Sequence, residues 1–249
     1  MLFLHKTEFI CLDVEATGLS KETDRVIEVA AALFTQEKIC DEFESLINPS
    51  CPIPPESQAI HNISDSMVQG KPFIQEILPQ LHAFVGNRII IGHGIQFDID
   101  MLNKEAERSG LTLRFGEHGT IDTLRLARLY GESPSNSLVV LRQHFNIESE
   151  GAHRALSDVR VNCQVFHRLT TSFRSVEQIN QTLSKPILMK NMPLGKHKGR
   201  PMKELPLDYL KWASHQEFDQ DLLYSLRTEL NRRKTGDQFS QVSNPFLSL

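Results

Sequence analysis

The apolar positions first gather at residues 9–14 (FICLDV), a short β-prone run that breaks at Thr17-Gly18 and predicts a buried central strand. Residues 25–34 alternate loosely and predict a second strand. Residues 38–47 predict a third, closed by Asn48-Pro49, and the Pro-rich stretch 49–55 reads as loop. Helical spacing then appears over 57–61, over 64–67 with Ser64 at the N-cap, and over 72–85. A further buried strand is predicted at 88–92 (RIIIG), followed by a helix over 97–109 closed by Gly110. The triplet Ile121-Asp122-Thr123 is expected to open a helix reaching about Tyr130. Two more helices follow at 137–145 and, long and amphipathic, at 155–170. Strands first, then strands mixed with helices, predict an α/β fold with a mixed central sheet flanked by helices.

Composition sharpens this picture only in places. In 249 residues, 40% are apolar and 23% charged, enough for a real core, which excludes collagen-like, mucin-like and disordered classes. No stretch has the length and apolarity of a membrane span, and His5 and Lys6 interrupt the apolar residues of the start. A soluble, untargeted, cytoplasmic protein with no membrane partner is expected. The four cysteines are far apart and form no CxxC pair, so buried free thiols are expected. Charge is uneven: the net value is −4, yet residues 185–234 carry +5 and residues 1–184 carry −8. An acidic body joined to a basic segment suggests a catalytic domain followed by a module able to meet phosphates. Pro186 and Pro193 mark the join. The expected divisions are a catalytic domain at 1–175, a linker at 176–191, a small basic module at 192–234 and a flexible tail at 235–249.

The chemistry is carried by carboxylates. Asp13 and Glu15 lie two residues apart at the end of the first strand, so both side chains leave the same face and can ligate one metal cluster. Apposed carboxylates repel unless a cation sits between them. Asp98 is expected at the start of a helix just beyond the strand 88–92, where open α/β sheets place their sites. Asp65 and Asp100 read as ordinary polar residues of helix starts. His153 and Asp158 flank the start of the long helix. Both can face one site only if His153 precedes the helix proper, a bend that Gly151 permits. A titrating imidazole on an approach loop beside a helical carboxylate suits proton transfer.

Three ordered motifs then resemble one family, the DEDDh 3′–5′ exonucleases, also called DnaQ-like or RNase T-like. They are Asp13-Val14-Glu15-Ala16-Thr17-Gly18, His93-Gly94-Ile95-Gln96-Phe97-Asp98 and the segment from His153 to Asp158, within a match running from about Phe9 to Leu169. The resemblance implies a ribonuclease H-like exonuclease fold. It also implies that Asp13, Glu15, Asp98 and Asp158 bind two divalent ions, with His153 as general base. Oxygen-only ligation implies Mg²⁺ or Mn²⁺. By the same analogy Ala16, Thr17, Gly18 and Leu19 hold the terminal nucleotide, Leu19 packing on its base, while His61 and Phe97 contact or shape the pocket. Many members carry Asn where this chain has Gly94, so the contact that orients the second motif is expected to be absent or replaced.

The stretch from Met192 to Pro201, with Leu205 to Leu210 and Trp212, resembles a small module appended to some of these enzymes, including relatives of exonuclease X. Lys196, Lys198 and Arg200 around two glycines are candidate phosphate ligands. Tyr209 and Trp212 are candidates to stack on bases, but the favoured expectation places them in the module's core. The leading expectation is a 3′–5′ exonuclease acting on DNA, in proofreading like the DNA polymerase III epsilon subunit or in repair, with DNA favoured over RNA and a DNA polymerase as candidate partner. The alternatives are an exoribonuclease of RNase T or oligoribonuclease type and a non-catalytic nucleic-acid-binding module.

Overall fold

The computed structural model describes residues 2–133, 135–148 and 154–242, with side chains to Thr235. The chain divides into two compact units, Met1–Thr182 and Leu183–Leu249. In the first unit, strands β1 (Phe9–Ala16), β2 (Val26–Phe34) and β3 (Ile39–Leu46) form an antiparallel meander. Helices α1 (Pro55–His61), α2 (Asp65–Val68) and α3 (Ile74–Val85) follow, then β4 (Ile89–Gly92), α4 (Gln96–Arg108), β5 (Thr120–Asp122) and α5 (Thr123–Tyr130). Helices α6 (Leu138–His144), α7 (Ala155–Leu169) and α8 (Val176–Leu183) complete the body. The sheet order is β3-β2-β1-β4-β5, with β4 parallel to both β1 and β5, the mixed sheet expected.

Strand alternation sorts β1 onto two faces. Ile10, Leu12 and Val14 point into a core with the buried stripes of α3 (Ile74, Leu78, Leu81) and α4 (Met101, Leu102). Phe9, Cys11, Asp13 and Glu15 take the other face, which α7 covers. At its far end Phe9, Phe34 and Phe166 interlock with ring centroids 5.3–5.8 Å apart. Asn162 on α7 donates to Cys11 Sγ at 3.5 Å. One turn nearer the helix start lies Asp158, so the same packing that buries Phe166 carries Asp158 toward Asp13 and Glu15.

Several expectations need correction. Residues 120–122 form a strand before the helix, because three residues are too few for an alternation to register. Ser64 occupies the N-cap of α2 but its hydroxyl pairs with Ser66 Oγ at 2.9 Å and caps nothing. The expected linker 176–191 begins as α8, where Val176, Ile179 and Leu183 are buried at helical spacing. The expected tail begins inside helix α10 (Gln220–Val242), since a polar sequence continues a helix already nucleated. Residues 243–249 lie outside the described residues. All four cysteines are free, but Cys40 and Cys51 are exposed, each lying outside an apolar run. Among the described residues, no helix is long and apolar enough to cross a membrane.

The second unit contains α9 (Leu207–Ala213) and α10 around an aliphatic and methionine core that includes Met189, Met192, Met202, Leu210, Leu222 and Leu226. Trp212 is not part of it: the indole is 55% exposed, while Tyr209 packs against the core's edge. Methionine and leucine fill the interior, so the indole is not needed there.

Candidate active site

Asp13 and Glu15 leave the α7 face of β1, and ligand oxygens of Asp13, Glu15 and Asp158 all lie within 4.8 Å of one another. Asp98 stands beside them in the first turn of α4, 6% exposed, where the helix N-terminus favours an anion. Its Oδ1 accepts the Val14 amide at 2.9 Å, tying the second motif to the strand residue between the first two acids.

The acids act on one another. Burial, followed by repulsion from Asp98, Glu15, Asp158 and Glu28, pushes the Asp13 carboxyl well above the usual carboxylate range. Burial and the charges of Asp158 and Glu28 raise Glu15 to about 7, with Arg154 acting against them. Burial raises Asp98 to about 7 as well, partly offset by its backbone hydrogen bonds. A buried group of oxygen donors whose ionisation is opposed first by burial and then by mutual repulsion fits a divalent cation, which would offset both. No Cys or His joins the group among the described residues, so the donor set suits a hard ion.

Two ion-pair systems hold the frame. Glu28 faces Glu15 across the β1–β2 ladder and is fully buried. Like charges in register repel, and Arg154 answers with a fork: its Nε and a terminal nitrogen reach Glu28 Oε1 at 3.0 and 2.5 Å. Glu28 Oε2 also accepts the Ala155 amide at 3.0 Å, the first residue of α7. Neither residue was assigned a role from sequence, although Glu28 is the lone charge within VIEVAAALF and could have been flagged on that ground. The second system serves the loop after β1. Buried Glu105 takes Arg25 at 2.7 and 3.1 Å and Arg108 at 3.1 Å, and Arg108 donates to the carbonyls of Asp24 and Lys21.

This loop carries the expected nucleotide-binding residues. The β1–β2 register slips at Glu15/Ala16, bending the strand where the acids end and the loop begins. Thr17 is buried, its hydroxyl donating to Asp24 Oδ1 at 3.1 Å and accepting the Arg25 amide at 3.0 Å, so it shapes the loop from within. A Cβ on Gly18 would stand 2.5 Å from the Asp24 carboxylate and would displace the group that holds Thr17 and Ser20. Leu19 is 87% exposed, an apolar side chain that its own fold leaves uncovered. His61 is buried: Nδ1 accepts the Ile63 amide at 3.0 Å and Nε2 has no partner among the described residues. Phe97 packs partly buried against the main core.

Asp65 and Asp100 do what was expected of ordinary polar residues. Asp65 accepts the Ile53 amide at 3.0 Å, and Asp100 pairs with Lys21 at 3.1 Å. Gly94 adopts φ +77°, and its amide donates to Asp122 Oδ1 at 2.9 Å. The same oxygen caps α5 through Leu124 N, so backbone and Asp122 hold the second motif without an Asn side chain. His93 pairs with Thr123 Oγ1 at 3.0 Å and the Asn136 carbonyl at 2.8 Å. His153 and Gly151 lie outside the described residues.

Comparison with known proteins adds relatives to this geometry. Over 194 residues the chain is 31% identical to a DNA polymerase III PolC-type protein of Caldanaerobacter subterraneus subsp. tengcongensis, covering 75% of this chain and 14% of that protein. The chain thus spans a small fraction of the PolC-type relatives. It is 32% identical to the DNA polymerase III subunit epsilon of Aquifex aeolicus, covering 65% of this chain and 79% of that one. A solved structure of exonuclease X in complex with 5′ overhanging duplex DNA matches with a TM-score of 0.55 and 25% identity, covering 70% of this chain and 98% of that one. A family model named for a quorum-sensing-regulated virulence factor matches residues 180–229. The RNase T exonuclease model matches residues 10–166, a span that takes in all three acidic motifs, and the chain belongs to that exonuclease family.

Proposed function

We propose that this chain is a metal-dependent 3′–5′ exonuclease that removes nucleotides from the 3′ end of DNA. The observation that carries this reading is the convergence of Asp13, Glu15 and Asp158 within 4.8 Å, with Asp98 against the Val14 amide, in a chain of the exonuclease family. DNA is the substrate we favour because the epsilon relative belongs to a DNA polymerase and the exonuclease X structure holds DNA. The same relatives make a replicative DNA polymerase the candidate partner, with stand-alone repair as the other setting, and a cytoplasmic location accords with both.

The four carboxylates would hold two divalent ions, Mg²⁺ or Mn²⁺. When bound, such ions stabilise charge on the attacking and leaving oxygens of an in-line phosphodiester displacement. The chain's own residues do the rest. Asp98, anchored on Val14, fixes the second motif against the first. Glu28 pins Arg154 and the Ala155 amide at the start of α7, which sets the depth of Asp158. His153 would take the proton from the attacking water. The loop from Ala16 to Leu19, braced by Glu105 and Asp24, would receive the terminal nucleotide, with Leu19 against its base. Phe97 and His61 shape the wall behind it.

On 3′- and 5′-labelled single strands of DNA and RNA, we expect a ladder shortening from the 3′ end of DNA, abolished by EDTA and by Asp13→Ala or Asp158→Ala. Retained cleavage in either variant refutes the ligand assignment, and faster cleavage of RNA moves the substrate to RNA. His153→Ala should lose roughly 10²- to 10⁴-fold in rate, most at lower pH, in a pH–rate profile.

Without metal, Glu15 and Asp98 keep their protons in the folded state up to about 7, whereas their ordinary values are 4.5 and 3.8. The folded state then binds more protons than the unfolded one, so stability falls as pH rises from about 4 through about 7. Thermal melts in EDTA should show this fall, Asp98→Asn should shrink it, and added Mg²⁺ should reverse it. A metal-free protein equally stable on both sides of that window contradicts the crowding. Arg154→Ala leaves Glu28 buried with the Ala155 amide as its remaining partner among the described residues, and denaturant titration should register a loss of about 1–3 kcal/mol. Activity in that variant should drop more than folding loss explains, because the start of α7 loosens; unchanged kcat at full folding counts against the positioning role.

A further inference from the structure

The second unit carries a groove that the carboxylate chemistry does not use. It encloses about 850 Å³ and is lined largely by apolar and aromatic side chains, among them Leu194, Pro206, Tyr209, Trp212 and Phe218. Tyr209 and Trp212 stand three residues apart on α9 and so share a face, with ring centroids 5.5 Å apart at 41°. Lys196 Nζ lies 5.4 Å above the Tyr209 ring, and His197 meets the same ring edge-on at 4.4 Å. Lys196, Lys198 and Arg200 are all exposed on one short turn that Gly195 and Gly199 close with φ of +70° and +83°. That turn is held by main-chain bonds: the Gly199 amide reaches Met192 O at 2.7 Å and the Met192 amide reaches Arg200 O at 2.9 Å. Lys196 and His197 line the groove, and Arg200 is exposed on the same turn. Asp208 is the acid on the groove wall, outnumbered by the three cations of the turn.

An aromatic floor and a cationic rim call for an occupant with flat, apolar faces and a regular negative charge. An apolar peptide would leave the cations without counter-charge, and an acidic one would leave the indole uncovered. In a duplex the base faces are stacked on one another and cannot reach the rings. Single-stranded nucleic acid supplies both features at once.

We propose that this groove binds single-stranded nucleic acid, with a base stacked on Trp212 beside Tyr209 and phosphates on Lys196 and Arg200. This rests on the reading that the chain acts on nucleic acid, but the two can fail separately. The protein contains one tryptophan, so the tryptophan component of its emission, excited selectively over tyrosine, reports this groove. In EDTA, titrating the full chain with a single-stranded oligodeoxynucleotide of about 12 nucleotides should quench that emission saturably, and the matched duplex should not. Lys196→Ala with Arg200→Ala should weaken binding and flatten the slope of log K against log salt by about 1.4. Trp212→Ala, followed by anisotropy of a labelled strand, should weaken binding roughly 5- to 150-fold, and Trp212→Phe should restore most of it. Oligonucleotide that binds by anisotropy without moving the tryptophan signal overturns the proposal, as does an unchanged salt slope in the double variant. Cleavage with Mg²⁺ but no quenching would sink this groove and spare the exonuclease reading. Quenching without metal-dependent cleavage would do the opposite.

Discussion

The first unit is organised around negative charges that would rather be apart. Asp13, Glu15, Asp98, Asp158 and Glu28 crowd the end of β1, and the fold holds them there by burying apolar surface elsewhere on the same elements. Phe9, Phe34 and Phe166 fasten α7 to the sheet at one end, and the helix then has no freedom to withdraw Asp158 at the other. Burial first, and the repulsion with it, appear as carboxyls that hold their protons to unusually high pH. Strain of this kind persists only where the surrounding packing over-determines the geometry, and it is the feature a cation converts into binding.

Not every charge in the crowd is treated alike. Glu28 has a permanent counter-ion in Arg154, whose fork and the neighbouring Ala155 amide satisfy the carboxylate. Glu15, directly opposite in the ladder, has no such fork among the described residues and stands with Asp13 and Asp158 in the acidic cluster. The two carboxylates of the cross-strand pair therefore differ in their partners, a division set by which of them α7 meets with a guanidinium. Glu105 repeats the structural use on the far side, where Arg25 and Arg108 turn a buried acid into the brace of the loop carrying Leu19.

The second unit follows a different economy. Its interior is filled by methionine and leucine, which pack irregular space without polar atoms to satisfy. Tyr209 and Phe218 pack at the edge of that core, and the expectation that Trp212 would be core gives way to a half-exposed indole beside a cationic turn. Charge asymmetry along the chain pointed to this segment as the one able to meet phosphates. The groove itself could not be read there, because it is made by side chains brought together from the turn, from Pro206 and from α9.

Local pattern by itself determined the order of strands and helices, the mixed sheet, and the exit of Asp13 and Glu15 from one face, since period-two alternation is a property of the backbone. The motif order determined the family. Short or continuous features escaped it: β5 is too brief to show a period, and the apolar spacing of α8 was masked by the prolines beyond it. Tertiary structure decided what each charge is for. It put Asp98 on the Val14 amide, paired Glu28 with Arg154 across 126 residues of chain, let Asp122 hold Gly94, and kept His61 and Thr17 inside while leaving Leu19 and Trp212 outside. A carboxylate's role depends on the dielectric and the partners around it, and those come from segments far apart in sequence that meet only when the core closes.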